Sequence, residues 1–369
     1  MNLSAATLAE LGPESSLPDL LVRIAQTPAP TFDEGARGAL IAALWEAAGL
    51  EPETDEIGNV IAEVPGGMGP LVLVAAHLDS VFGPGVDVSV KRAPGRYEGP
   101  GVGDNAANLA VLTRFLQAPE IARQRPRLIV VATVGEEGIG DLRGARRVVE
   151  RFGSQLDHFV ALDGHLGVVT DRAVGSVRYR AEIEAEGGHA WGDYPSPSAV
   201  HGAAAAVDRL ARLRVPSEPR SSLNVGQIWG GTSINAIAAN AGFSLDLRSV
   251  EPDTLALLEE AALAEIEAAV EESGCRLRLD QLGRRPAAQV ENSLIVEAAA
   301  MALDRSGLTM VRSPGSTDAN VAMAVGISSI AFGAYRGAGA HRLDEWVEPE
   351  SLVLGLVVLA RFMEELAVS

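Results

Sequence analysis

Four short runs constrain the fold most: "LVLVAAH" (71–77), "RLIVVATV" (127–134), "HFVALD" (158–163) and "SSIAFGA" (328–334). Each is apolar at successive positions and rich in β-branched residues, so both faces of the strand need cover. That is the pattern of central parallel strands with helices on either side. Segments of helical period lie between and around them: "LPDLLVRIAQTP", "EGARGALIAALWEAAGL" (stopped by Gly49), "NAANLAVLTRFLQAP", "GDLRGARRVVERF", "NSLIVEAAAMALDRSG" and "PESLVLGLVVLARFMEELA". The expected fold class is α/β, a mostly parallel sheet flanked by helices. The stretch from Gly83 to Gly103 is rich in glycine and proline and reads as a polar connection.

The texture changes near residue 174. "SVRYRAEIEAEG" alternates apolar and polar, as a half-exposed antiparallel strand does. A helix, two strands, a long helix and the strand "CRLRLDQLG" follow, in β-α-β-β-α-β order. This predicts a ferredoxin-like α+β domain at 174–284, inserted into a larger domain formed by 1–173 and 285–369.

The totals exclude several functions. The formal net charge of −19 argues against nucleic acid and anionic membranes as partners. No G-x-x-x-x-G-K-[ST] loop is present, and Lys91, the sole lysine, sits in a polar loop ill-suited to a Schiff base. A single cysteine, Cys275, allows no intrachain disulfide. With an N-terminus that does not read as a signal peptide and no long apolar span, a cytoplasmic protein is expected.

The informative polar residues fall at strand ends. His77 and Asp79 close one apolar run, Glu136 and Glu137 the next, and Asp163 a third. Asp104 lies in the glycine-rich "GPGVGDNAAN", and His341 in "GAGAHRLDEWV". Ligands of open α/β sheets bind beyond the carboxyl ends of the strands. Carboxylates gathered there need a cation, and carboxylates with histidines suit zinc first. Each residue also has an ordinary reading: a hydrogen-bonded His77–Asp79 pair, a helix cap at Asp104, solvated charges at Glu136 and Glu137, a turn at Asp163. His341 is the hardest to explain in that way.

These motifs together — H-x-D, G-x-G-D-N, G-E-E-G, D-G and a late glycine-flanked histidine — resemble the dinuclear zinc metallopeptidase family of peptidase T, carboxypeptidase G, acetylornithine deacetylase, succinyl-diaminopimelate desuccinylase and aminoacylase. "GGHAWGDYPSPSAVH", "GGTSINAIAANAGFSLDLRS" and "GSTDAN" look most like the peptidase T-like branch. The resemblance implies two divalent metal ions per chain, zinc first and cobalt or manganese as alternatives. His77 and Asp163 would hold one ion, Glu137 and His341 the other, with Asp104 bridging. Glu136 would be the general base for an attacking hydroxide, and Asp79 would orient His77. A cis peptide is implied at Asp104–Asn105.

By the same resemblance, His189 would contact the substrate carbonyl, from its own chain or from a dimer partner. Asn235, Arg248 and the backbone of Gly315, Ser316 and Thr317 would bind substrate polar groups, although Ser316 or Asp318 equally suits a helix cap. The implied protein is a homodimer through the inserted lid/dimerisation domain. It acts on an amide bond, in a di- or tripeptide or, alternatively, an N-acyl amino acid. A non-catalytic binding module would be expected to have lost ligands or the base. A glycosidase using Glu136 and Glu137 fails because adjacent carboxylates do not oppose one another across a sugar.

Overall fold

The computed structural model describes residues 16–118 and 124–367, so the N-terminal stretch read for a signal peptide lies almost wholly outside the described residues. No described helix is long and apolar enough to cross a membrane. The chain divides into two compact units, Met1–Arg172 with Gln289–Ser369, and Ala173–Ala288.

In the first unit an eight-stranded sheet runs in the order Glu53–Thr54, Val60–Val64, Arg127–Thr133, Leu71–His77, His158–Leu166, Ser328–Gly333, Val168–Thr170, Val311–Arg312. The four central strands are parallel, and Val60–Val64 adds antiparallel beside Arg127–Thr133. Burial on both faces is complete where the sequence demanded it. Val72, Leu73, Val74, Ala75 and Ala76 are all buried, as are Ile129, Val130, Val131 and Ala132. The covering helices include Leu17–Ala25, Ala106–Gln117 and Ser351–Ala367, whose apolar faces join one core with alternate residues of these strands. The Gly35–Ala47 helix ends at Gly49, whose φ of 83° is a conformation that costs glycine little.

The 83–103 stretch departs from the expected connection. It contains a hairpin, Lys91–Ala93 with Arg96–Glu98. This pairs with Trp346–Glu348 and, through it, with Arg336–Ala338 in a second, four-stranded sheet. Three-residue polar strands carry no apolar run to announce them, and their partner lies about 250 residues away in sequence. The Arg96 guanidinium lies over the Trp346 ring, 4.9 Å from its centroid. Lys91 is exposed on this hairpin.

A buried arginine ties the first helices to the sheet edge. Arg37 is 1% exposed and donates to the carbonyls of Thr27 (3.0 Å), Leu78 (2.7 Å) and Ala25 (3.4 Å). Burial pushes its guanidinium pKa down to about 10, against the favourable charge of Asp79. Leu78 stands between His77 and Asp79, so this contact fixes the end of the Leu71–His77 strand.

The second unit has a four-stranded antiparallel sheet ordered Ser221–Gly230, Asn240–Ser249, Gly175–Glu184, Arg276–Arg285. The Ala199–Arg212 and Pro252–Glu272 helices pack on it. Along Gly175–Glu184, Val177, Tyr179, Ala181 and Ile183 are buried while Arg180 and Glu184 are exposed. That is the alternation expected of a sheet with one covered face.

Replacing Arg37 by leucine removes the donor from two buried carbonyls, Leu78 and Ala25, and from the part-buried carbonyl of Thr27. It is expected to destabilise the metal-free protein by about 3 kcal/mol, read from the urea midpoint. An unchanged midpoint would contradict the assignment.

Candidate metal centre

The parallel register brings the polar strand ends together. His77 lies opposite Thr133, so the segment after Thr133 emerges beside it; Asp163 does not end its strand but lies within His158–Leu166, just past the last pair with Leu71–His77, Ala75 opposite Ala161. Glu136 and Glu137 do not end the strand, which stops at Thr133; they sit in the turn beyond it. The alternation of a strand therefore does not set their directions. Both are nonetheless 5% exposed.

Three sets of donor atoms lie within 4.8 Å of one another: His77, Asp104 and Asp163; Asp104, Glu137 and His341; and His77, Glu136 and Glu137. Asp104 belongs to the first two and offers one oxygen to each side. Its Oδ1 is 3.0 Å from His77 Nε2, and its Oδ2 is 3.2 Å from His341 Nε2. His341 Nε2 is also 3.0 Å from Glu137 Oε1. Donors bound at about 2.0–2.1 Å to one tetrahedral ion stand about 3.3 Å apart, so this spacing fits divalent metal ions.

Charges respond to the crowding. Burial opposes ionisation of Asp104, but hydrogen bonds to His341 and His77 hold its carboxyl well below the usual range. Asp163 lacks such partners. Burial, with the charge of Asp104 next, pushes it up to about 7. Hydrogen bonds to Asp104 and Glu137 push His341 up to about 10. For His77, burial favours the neutral ring, yet hydrogen bonds to Asp104 and Asp79 raise it well above its ordinary value.

Asp79 holds more than the imidazole. Its backbone carbonyl contacts His77 Nδ1 at 3.0 Å, and its carboxylate oxygen Oδ1 is farther, at 3.5 Å. The carboxylate itself accepts the backbone N–H of Glu136 (2.9 Å) and of Glu137 (2.9 Å), and the Thr31 hydroxyl (2.9 Å). It thus binds His77 and the Glu136–Glu137 turn into one piece. Asp104 is not a helix cap: Asn105 holds the cap position of Ala106–Gln117, and the Asp104–Asn105 peptide is cis.

Several supporting residues escape a reading from sequence. Asn105 donates to the Leu162 carbonyl (2.9 Å), and Asn108 links Asn105 to the Ala334 N–H. Thr133 donates to Asp318 Oδ2 at 2.5 Å, so Asp318 is braced against the strand and makes no side-chain cap. Glu345 accepts backbone N–H groups of the Asp104 loop; burial raises its carboxyl to about 7 against those donors. The available signals were polar residues on the buried "GDNAAN" helix start and a carboxylate four residues after His341.

Gly315, Ser316 and Thr317 belong to the first unit, where Gly315 N–H donates to the Arg172 carbonyl and Thr317 Oγ1 accepts the Ala319 N–H. His165 packs edge-on against Tyr335, 5.0 Å between ring centroids. His189, Asn235 and Arg248 lie in the second unit. His189 Nδ1 accepts the N–H groups of Trp191 (3.2 Å) and Gly192 (3.3 Å), which leaves the proton on Nε2. Asn235 accepts the Ala190 N–H through its backbone carbonyl, and Arg248 pairs with Asp246 at 2.9 Å.

Histidines and carboxylates gathered beyond the ends of a parallel sheet make a site suited to divalent metal ions. The chain belongs to peptidase family M20/M25/M40, whose model matches residues 73–365, and is a metal-dependent peptidase/amidohydrolase of a family with dinuclear metal-binding members. Its fold is similar to that of a tripeptidase from Staphylococcus aureus (TM-score 0.81, 22% identity, 96% of this chain and 98% of that one). It is also similar to aminopeptidase PepT from Bacillus cereus (TM-score 0.77, 22% identity, 95% and 98%). In sequence it is 28% identical over 323 residues to a putative [LysW]-lysine/[LysW]-ornithine hydrolase of Pyrobaculum aerophilum, covering 85% of this chain and 87% of that protein.

His77 and His341 hold protons more tightly than free histidine, so metal ions bound there would have to displace them. Zinc binding to the stripped protein at neutral pH is expected to release protons and to weaken as pH falls. Calorimetry in buffers of different ionisation enthalpy measures this; a buffer-independent heat would contradict it.

Proposed function

We propose that the chain cleaves an amide bond of a small peptide, with di- and tripeptides as its substrates. The observation that carries this is Asp104, shared between His77 and His341 beside Glu136 and Glu137. An aminopeptidase and a tripeptidase are among the proteins that share the fold, and a peptide is taken as the substrate on that likeness.

In this proposal His77 and Asp163 would hold one ion and Glu137 and His341 the other, with Asp104 shared between them and zinc the expected metal. The ions, when bound, acidify water and polarise the scissile carbonyl. Glu136 takes the proton of the attacking water and returns it to the leaving amine. Asp79 keeps Glu136 in place through the backbone of its turn and orients His77 from behind. His189, with its proton on Nε2, is the donor proposed for the carbonyl oxygen. Asn235, Arg248 and the Gly315–Thr317 backbone are proposed for the substrate's polar ends. A homodimer through the second unit and a cytoplasmic location complete the proposal.

Glu136→Gln is expected to lower turnover by about 10²–10⁴-fold while metal content stays at the wild-type level. Activity within a few-fold of wild type would remove Glu136 from the role of base. A zinc- or manganese-loaded screen of dipeptides, tripeptides and N-acetyl amino acids tests the substrate. Cleavage of free-amine peptides is expected; cleavage of the N-acetyl compounds alone would replace the peptidase by a deacylase.

A further inference from the structure

Glu345 belongs to none of the three donor sets, yet it is a carboxylate buried at 1% exposure. Its Oε2 accepts the Gly101 N–H at 2.9 Å, and its Oε1 accepts those of Gly103 at 3.0 Å and Asp104 at 2.8 Å. Three backbone donors converging on one anion form a nest. The loop leading to Asp104 is thus wound around this side chain. Its backbone is tied to the same loop, since its carbonyl accepts the Gly99 N–H at 2.9 Å.

His341 stands four residues earlier on the same segment, with a φ of 67°, between the Arg336–Ala338 and Trp346–Glu348 strands. One carboxylate therefore joins the loop that presents Asp104 to the loop that presents His341. The fit is close: a Cβ on Gly103 would lie 2.6 Å from Glu345 Oε1 and 2.7 Å from the Tyr335 hydroxyl. Glycine at 103 is thereby explained by the approach of the carboxylate.

We propose that Glu345 is a positioning residue for the centre, setting where Asp104 stands relative to His341. This rests on reading the cluster as a two-metal centre. Removing the anion leaves three buried N–H groups aimed at one point. The loop must then rearrange, and Asp104, its last member, moves with it.

The test uses the full chain stripped with chelator and titrated with Co²⁺, followed by visible absorption and calorimetry. Glu345→Gln puts an amide in place of an accepting oxygen, and Gly103→Ala displaces an intact carboxylate. Both are expected to bind cobalt about 10–100-fold more weakly and to change the absorption spectrum, while the metal-free proteins keep a cooperative melting transition at a lowered temperature. Wild-type affinity and spectrum in Glu345→Gln would overturn the proposal. Loss of the metal-free fold in both variants would also overturn it, by assigning the carboxylate to stability alone. A wild-type chain that takes up no cobalt is a different outcome, which sinks the two-metal reading itself.

Discussion

The structure depends on how it tolerates carboxylates packed together at the edge of a buried sheet. Asp104, Glu136, Glu137 and Asp163 share that edge with His77 and His341. In a medium less polar than water such charges repel strongly and are costly to dehydrate. Asp104 is satisfied by both histidines, whereas Asp163 is left holding its proton up to about neutral pH. Cations relieve that imbalance, and the donor spacing is suited to them. The apolar strands matter because they fix the distances at which this balance holds.

Around the centre, contacts of one kind recur: a side-chain carboxylate accepting backbone N–H groups from a loop that carries other functional residues. Asp79 does this for the Glu136–Glu137 turn, and Glu345 does it for the Asp104 loop. Each replaces what water would give the loop backbone. Arg37 acts in the opposite sense, supplying donors to the Leu78 carbonyl just past the Leu71–His77 strand and to the Thr27 carbonyl after the first helix. Placement of the reactive groups is thus a property of loop backbones clamped by buried charges as much as of the strands.

This explains which parts were legible in the sequence. Apolar runs with a two-sided pattern announced the central strands, and the alternation in Gly175–Glu184 announced the second sheet. The polar residues at strand ends marked the cluster that the sheet brings together. The partners of Glu345, Asn108 and Arg37 could not be read in this way, because a contact between a side chain and a distant backbone group leaves no period in the sequence. The Lys91–Glu98 hairpin was hidden for a related reason: its three-residue strands are polar and pair with a segment far along the chain. Asp79 was visible as a neighbour of His77, but its larger task, bracing the next strand's turn, depends on a register that only the sheet shows.

Family membership establishes the chemistry more narrowly than the substrate, since one fold serves many substrates through what surrounds the centre. The reading of this site turns on Asp104, proposed to stand between two metal ions. Anomalous diffraction at the zinc edge from crystals of zinc-loaded protein tests it most directly. The account predicts two peaks, one beside His77 and Asp163 and one beside Glu137 and His341, with Asp104 between them. A single peak, or none at Asp104, would contradict it.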